Sequence, residues 1–574
     1  MSVAGKAVDS ATSPLGNPRA LDPWRAGIFV FALLLALPVL TVFSFVFHPV
    51  GEVWRHLVET VLADYVFNSL TLMVGVAIGT LGIGVSTAWL TTLCRFPGQR
   101  VFEWALLLPL AVPAYIIAYT YTGMFDFAGP VQTALRHWFG WSYGEYWFPE
   151  IRSLGGAVAM LSLVLYPYVY LLARAAFLEQ SVHALDASRM LGCSPWQSFR
   201  RVSLPAARPA IIAGLSLALM ETLADYGTVQ YFGVPTFTTG IFRTWFGLGD
   251  SGAAAQLSTL LLMFVLILVV AERWSRRQAR YHQMGSRSRA LPSYELRGVK
   301  AMAAFFACIA PLALGFLLPC AQLGAWAWDT AAEVVDDQLL RLVWNTFSLA
   351  ALVAGLAVAS SLFLGYGRRI RSGPWTNAMV RLAGMGYAVP GTVIAVGVML
   401  PLASLDNWVD AWTRESFDFS TGLLLSGTLF ALVYAYMVRF LAVSLNTVEA
   451  GLAQVTPSMD DAARSLGCRS LHVVGRVHIP IIRGSLVTAV LLVFVDVMKE
   501  LPATLILRPF NFNTLAVRAY ELASDERLAD SSTAALAIVA AGIVPVILLS
   551  RSIAHSRRRE PAVVRAPEPA LAPS

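Results

Sequence analysis

Asp186-Ala187-Ser188-Arg189-Met190-Leu191-Gly192, then nine residues, then Val202-Ser203-Leu204-Pro205: this stretch decides how the chain is read, because it occurs twice. The second copy is Asp461-Ala462-Ala463-Arg464-Ser465-Leu466-Gly467, nine residues, and Val477-His478-Ile479-Pro480. Every matched position lies 275 residues further on, Cys193 onto Cys468 included. An acid, two small residues, a Gly and a Pro at fixed spacing predict a short helix with a defined stop. The small residues let another surface approach, Gly supplies a left-handed C-terminal turn, and Pro starts the next helix. An ordinary helix–turn–helix between two spans would account for one copy. Two polar copies in register, each flanked by apolar runs, argue against it.

The chain of 574 residues is long enough for several soluble domains, but composition overrides that expectation. Hydrophobic residues make up 57% and charged residues only 13%, and the mean hydropathy is +0.63. Apolar runs long enough to cross a bilayer recur throughout. The fold class is therefore all-α integral membrane, with twelve transmembrane helices in two parallel six-helix repeats. Spans are predicted near 27–47, 69–92, 103–123, 154–178, 208–226 and 253–271, and near 301–320, 346–366, 379–401, 421–444, 483–500 and 533–550. The first transmembrane domain covers 27–271 with its repeated loop near 180–208, and the second covers 301–552 with its loop near 450–482. A tail (1–26), a basic connector (272–300) and a Pro/Ala-rich, disordered tail (553–574) complete the chain. The first apolar run is about 20 residues, too long for a signal-peptide core, so it reads as a retained span.

The repeat extends beyond the loop. Asn68-Ser69-Leu70 matches Asn345-Thr346-Phe347, and Val112-Pro113-Ala114 matches Val389-Pro390-Gly391, both at an offset of 277. Thr239 and Arg243 match Thr514 and Arg518 at 275. Two pseudosymmetric bundles enclosing a central path follow from such a duplication.

Lys and Arg set the orientation. The connector holds eight, from Arg273 to Lys300, and loop 367–381 holds Arg368, Arg369, Arg371 and Arg381. On the opposite side, 321–344 has one Arg against Asp329, Glu333, Asp336 and Asp337, and 402–420 one Arg against four acids. Both termini, the connector and both repeated loops are thus predicted to face the cytoplasm. Beside a membrane span the basic connector reads as a topology anchor on anionic lipid, not as a nucleic-acid patch. Five cysteines without a CxxC pair are expected to be free thiols.

No GxxxxGK[ST], HExxH or GxSxG motif occurs, so no phosphate-binding loop or hydrolytic site is expected on this chain. His183, His472 and His478 fall in the repeated loops, where solvated histidine is the expectation. The informative ionisable groups are Glu221 and Asp225 in the fifth span and Asp496 and Glu500 in the eleventh, again 275 apart. Four-residue spacing puts each pair on one helical face. Sixteen residues beyond the loop proline, at about 1.5 Å each, place the first acid roughly 24 Å from the cytoplasmic end. A carboxylate in a span costs at least about 2.5 kcal/mol, so four need a reason. They either line the path of a hard cation, with Tyr226 and Tyr231 nearby, or sit at the outer headgroup level with Lys499 satisfying one of them. Tyr115, Tyr119, Tyr121, Tyr166, Tyr168 and Tyr170 read as belt or packing residues.

The duplicated loop resembles the "EAA" loop of ABC-importer permeases. There, an acidic-Ala-Ala segment, a Gly and a hydrophobic-x-hydrophobic-Pro end form the coupling helix that docks on the ATPase. Here Asp replaces the usual Glu in both copies and Ser188 the second Ala in the first. Glu221-Thr222-Leu223-Ala224-Asp225-Tyr226-Gly227-Thr228-Val229, Phe237-Thr238-Thr239-Gly240-Ile241 and Lys499-Glu500-Leu501-Pro502-Ala503-Thr504-Leu505 are similar to the ferric-iron branch, typically a single chain of two six-span halves. The resemblance covers nearly all of 27–552. It implies the membrane subunit of an iron(III) importer of a bacterial inner membrane, with a periplasmic iron-binding protein and two ATP-binding cassette subunits. Asp186, Ala187, Ser188, Gly192, Leu204, Pro205, Asp461, Ala462, Ala463, Gly467, Ile479 and Pro480 would then couple to the ATPase. Glu221, Asp225, Asp496 and Glu500 would line the substrate path, with no permanently bound metal, and ATP and Mg would belong to the partner. Permeases for thiamine or phosphonate share the coupling loop. A secondary transporter would also show repeats and buried acids, but has no use for a duplicated docking loop.

A cysteine placed near residue 285 should be protected from an impermeant thiol reagent added outside, and one near residue 410 should be labelled. Labelling at 285 in sealed, correctly oriented cells would reverse the orientation.

Overall fold

The computed structural model describes residues 23–558 apart from 50, 143–144, 179, 181–185, 189, 278–293 and 469. Most of both tails, the middle of the connector and His183 lie outside the described residues. Eleven described helices are long and apolar enough to cross a bilayer. A further pair, Gln99–Ala111 with Ala114–Phe139, is bent by 90° and makes twelve if taken as one span. The first half holds Pro23–Phe47, Leu62–Leu93, this bent pair, Leu154–Leu178, Pro195–Ala224 and Ser251–Ser275. The second holds Val299–Val334, Asp337–Ile370, Gly391–Phe417, Leu429–Leu452, Val474–Met498 and Leu528–Ile547.

The third span of each half departs from the sequence expectation of one continuous helix. A 3-10 turn, Leu108–Ala111 or Met385–Ala388, runs into Val112 or Val389 in extended conformation, and the helix restarts after Pro113 or Pro390. The cause is local. A residue before proline is pushed out of the α region, and proline has no N–H to continue the ladder. The repeated Val-Pro therefore marks a duplicated break in the middle of the bundle.

Small residues set how closely the spans pack. A Cβ at Gly84 in the second span would press on the backbone at Tyr166 and Tyr170, and one at Gly214 in the fifth on the backbone at Tyr168 and Val169. Without a hydrophobic drive between helices in lipid, such backbone approach is what gains packing energy. The two halves also clasp each other. The first span lies against the ninth, where a Cβ at Gly397 would overlap the Pro38 carbonyl. The seventh reaches back to the first half: Gly315 packs on the Leu163 carbonyl and Tyr121 Oη donates to Leu314 O at 2.7 Å.

The fifth span is followed by short helices Gly227–Tyr231 and Phe237–Phe242, and the eleventh by Pro502–Leu507 and Leu515–Ser524. Asn68 Nδ2 donates to Pro235 O at 3.0 Å, and its counterpart Asn345 to Asn513 O at 3.4 Å. Thr236 and Thr514 cap the second short helix of each half. The structural match is thus Thr236 to Thr514, not Thr239 to Thr514. Thr239 is instead the partner that holds the Thr236 N–H at 2.8 Å. In the second half the first short helix is one residue longer and the connection to the next two residues longer, which together shift the repeat by three.

Candidate functional site

The two repeated loops fold alike. Asp186–Ser188 and Pro457–Ser465 are helical, and Gly192 and Gly467 end them at φ +80° and +84°. Cys193 N–H donates to Ser188 O and Cys468 N–H to Ala463 O, each at 3.0 Å, closing the same six-residue turn around a left-handed glycine. The second small residue faces inward, with Ser188 and Ala463 buried. Met190, Leu191 and Leu466 stand 89%, 83% and 84% exposed, a strongly apolar tip on an otherwise polar loop.

Pro205 and Pro480 do not start new helices, as their place in the sequence suggests. Each follows a π turn, Phe199–Ser203 or Val474–His478, closed by Leu204 N–H onto Phe199 O or Ile479 N–H onto Val474 O. A proline cannot donate to the preceding turn and its ring crowds the carbonyl four residues back, so one widened turn absorbs it. The helix runs on from Pro195 to Ala224 without interruption. The segment that follows the loop glycine and the fifth span are one rod.

In the second loop it is Asp460, beside the repeated acid, that is held. It is buried, 2.6 Å from Arg369 Nε and 2.6 Å from His478 Nε2, and Arg369 also donates to the carbonyls of Leu452 and Val455. His478 is fully buried, contrary to the expectation of a solvated histidine, while His472 is exposed as expected. Burial pushes the Asp460 carboxyl up, but the His478 and Arg369 contacts outweigh it and hold it below the ordinary carboxylate range. In the first loop the tie is neutral, Ser188 Oγ to Ser198 Oγ at 2.7 Å.

The four span acids gather at one cavity of about 120 Å³ between the halves, also lined by Tyr115, Tyr168, Tyr387, Arg439 and Lys499. They do not lie as i, i+4 pairs on one helical face. The fifth span ends at Ala224 and the eleventh at Met498, so Glu221 and Asp496 sit in the last helical turns while Asp225 and Glu500 lie beyond them. Asp225 accepts from Thr228 Oγ1 at 2.9 Å and Val229 N at 3.1 Å, and Glu500 from Ala503 N at 3.2 Å. The second acid of each pair thus satisfies the exposed N–H groups of the short helix that turns back after it.

Lys499 pairs with Asp496 at 2.9 Å, not with Glu500. Glu500 is met by Arg439 at 3.4 Å, and Arg439 also reaches Glu221 at 4.0 Å. Arg439 is the functional residue the sequence reading missed. Its signal was present, since one Arg inside the apolar run Leu429–Leu452 is an intramembrane ion that needs a partner. Tyr226 lines the cavity and stacks on Phe242 at 3.8 Å. Tyr231 does not. It faces a separate, open vestibule of about 850 Å³ with Asp126, Glu150, Arg152 and Glu526. Tyr119, Tyr166 and Tyr170 are packing residues, fully buried, but Tyr115 and Tyr168 belong to the cavity. Among the described residues no three acids, histidines or cysteines converge as a metal-ligand set.

Residues 80–280 match the family described as binding-protein-dependent transport system inner membrane component, a stretch that takes in the first loop and the fifth span. The whole chain aligns with the Fe(3+)-transport system permease protein FbpB 2 of Haemophilus influenzae, 27% identical over 545 residues, 93% of this chain and 99% of that one. Residues 80–280 thus carry the domain of this family, and across both halves the chain is similar to a single-chain ferric permease of the same extent. The permease is also 23% identical to the ferric transport system permease protein FbpB of Actinobacillus pleuropneumoniae, over 83% of its length and 72% of the relative's. The molybdenum transport system permease protein ModB of Escherichia coli is 28% identical, but over only 35% of this permease and 87% of its own length. It corresponds in extent to less than one fused chain.

Two outcomes follow from the loops. A Cβ at Gly192 or Gly467 meets nothing within 4 Å, so replacing both with Leu costs only the left-handed backbone, about 1–2 kcal/mol per site. The double variant should insert normally yet recover less ATPase subunit on purification and transport more slowly; undiminished recovery and transport would remove these loops from coupling. Because the Asp460 carboxyl is depressed, the stability it contributes is complete above the ordinary carboxylate range and lost as pH falls through its lowered value. Hydrogen exchange in 457–465 should therefore quicken at acid pH, and Asp460→Asn should show that quickening already at neutral pH.

Proposed function

We propose that this permease moves iron(III) inward across a bacterial inner membrane, with both termini and both coupling loops in the cytoplasm. Iron would be delivered by a periplasmic iron-binding protein, and two ATP-binding cassette subunits would dock one on each loop. ATP and Mg would be bound and turned over on those subunits, the permease itself being a transport component and not an enzyme. The observation that carries the reading is the cavity between the halves, where four carboxylates face two cationic side chains. A trivalent cation entering a low-dielectric space needs that surplus of negative charge, and the attraction grows as the effective dielectric falls. Carboxylate and phenol oxygens are the hard donors such an ion takes. The relatives that align across both halves are named as ferric permeases.

The rod geometry supplies the mechanics. Closure of an ATPase dimer would draw the two loops together at their apolar tips. From Leu204 to Glu221 the unbroken helix rises roughly 26 Å, at about 1.5 Å per residue, so a displacement at the loop is delivered to the acid. The same holds from Ile479 to Asp496. The vestibule with Asp126, Glu150 and Glu526 includes Tyr231 at the end of the short helix Gly227–Tyr231 and would receive the cation first.

Replacing Glu221, Asp225, Asp496 and Glu500 with Gln or Asn keeps their volume and removes their charge. These variants should reach the membrane, still bind the ATPase and lose iron uptake, paired substitutions more than single ones. Wild-type uptake by the fourfold variant would end the carboxylate-path reading.

A further inference from the structure

The two halves supply the cavity unequally. Acids come from both, at equivalent places, but Arg439 and Lys499 both belong to the second half. The positions 275 residues earlier are Val164 and Ala224, which line the same cavity without charge. Lys499 is spent on Asp496 of its own helix. Arg439 is different. It stands between Glu500 of its own half at 3.4 Å and Glu221 of the other half at 4.0 Å, so one guanidinium joins the two halves across the path.

The chain makes room for this contact. A Cβ at Gly391, first residue of the ninth span, would overlap both Arg439 Nη1 and Glu500 Oε1. The matched residue of the first half, offset by 277, is Ala114, which lines the same cavity and already carries a Cβ. Arg439 and Glu500 are almost fully enclosed, whereas Glu221 keeps 30% of its side chain open to the cavity. The bridge is tight on the side of its own half and loose on the other. The Phe440 ring lies 5.6 Å from the guanidinium carbon and offers it a second seat.

We propose that Arg439 is a latch: a resident counter-cation that ties Glu221 to Glu500 while the path is empty and is displaced when a substrate cation takes those carboxylates. This rests on the carboxylate-path reading above. The latch answers a problem that reading creates, because with Lys499 spent on Asp496 the remaining carboxylates would repel each other across the cavity and resist closure. With Arg439 in place the empty cavity closes at low cost. An incoming trivalent ion repels the guanidinium and competes for its partners, so occupancy loosens the halves from each other. Arg439 thereby acts as a positioning residue that makes opening depend on cargo.

The test uses the assembled complex in liposomes, with ATP hydrolysis measured with and without iron-loaded binding protein. Arg439→Gln removes the bridge, and Gly391→Ala forces its two ends apart while keeping every charge. Both variants should hydrolyse ATP without iron about fivefold faster than wild type, the size of an ordinary coupling between two sites, and respond less to loaded binding protein. A merely structural role for Arg439 would lower hydrolysis, not raise it. Wild-type iron-free hydrolysis in both variants, with normal assembly, overturns the latch. If Arg439→Gln does not assemble, Gly391→Ala decides alone. Loss of uptake in the carboxylate variants alongside that result would leave the path standing without its latch. Wild-type uptake in those variants would show that the path itself is wrong.

Discussion

In a bilayer every backbone N–H and C=O needs a partner, and irregular backbone survives at membrane depth only where protein surrounds it. This permease breaks that rule of continuous helix four times near one place. The third and ninth spans are interrupted at Val112-Pro113 and Val389-Pro390, and the fifth and eleventh end at Ala224 and Met498. The breaks are what create the cavity. They also explain why its acids are there, since Asp225 and Glu500 accept hydrogen bonds from backbone that the breaks leave exposed. One group serves two needs: it satisfies the chain and places a carboxyl at the cavity.

Transmission depends on the opposite property. Between loop and cavity the chain never breaks, although Pro205 and Pro480 invite it to. A single π turn at each proline keeps the rod continuous, and a rod passes a displacement along its length where a hinge would absorb it. The second loop is fastened further by Asp460, Arg369 and His478 to the eighth and tenth spans, and among the described residues of the first Ser188 meets Ser198. Duplication has kept the geometry of the two loops and let their chemistry diverge. The same has happened at the cavity, where the acids repeat and the cations do not.

Much of this was legible in the order of residues. A left-handed glycine after a short helix acts within a few residues and hydropathy needs no distant partner, so the loops and span count could be read locally, while the Val-Pro interruptions of the third and ninth spans emerged only in the structure. The offset of 275 carried the reading from one half to the other. What misled was also local: Glu221 and Asp225 look like neighbours on one helical face until the helix stops between them. His478 looks solvated until Asp460 and Tyr366 close over it.

The sequence by itself determined that this is a two-fold repeated membrane permease with the same polar loop in each half and four acids, two in the fifth span of each half. Those features rest on short-range backbone chemistry and on hydropathy, which need no partner from afar. Only the tertiary structure decided which charges meet. Arg439 lies 218 residues from Glu221 and 61 from Glu500, and nothing local aims its side chain at either. The mutual clasp of the halves, with the first span on the ninth and the seventh on the first half, brings them to one cavity, because charges buried in a bilayer are tolerated only where packing lets them find each other.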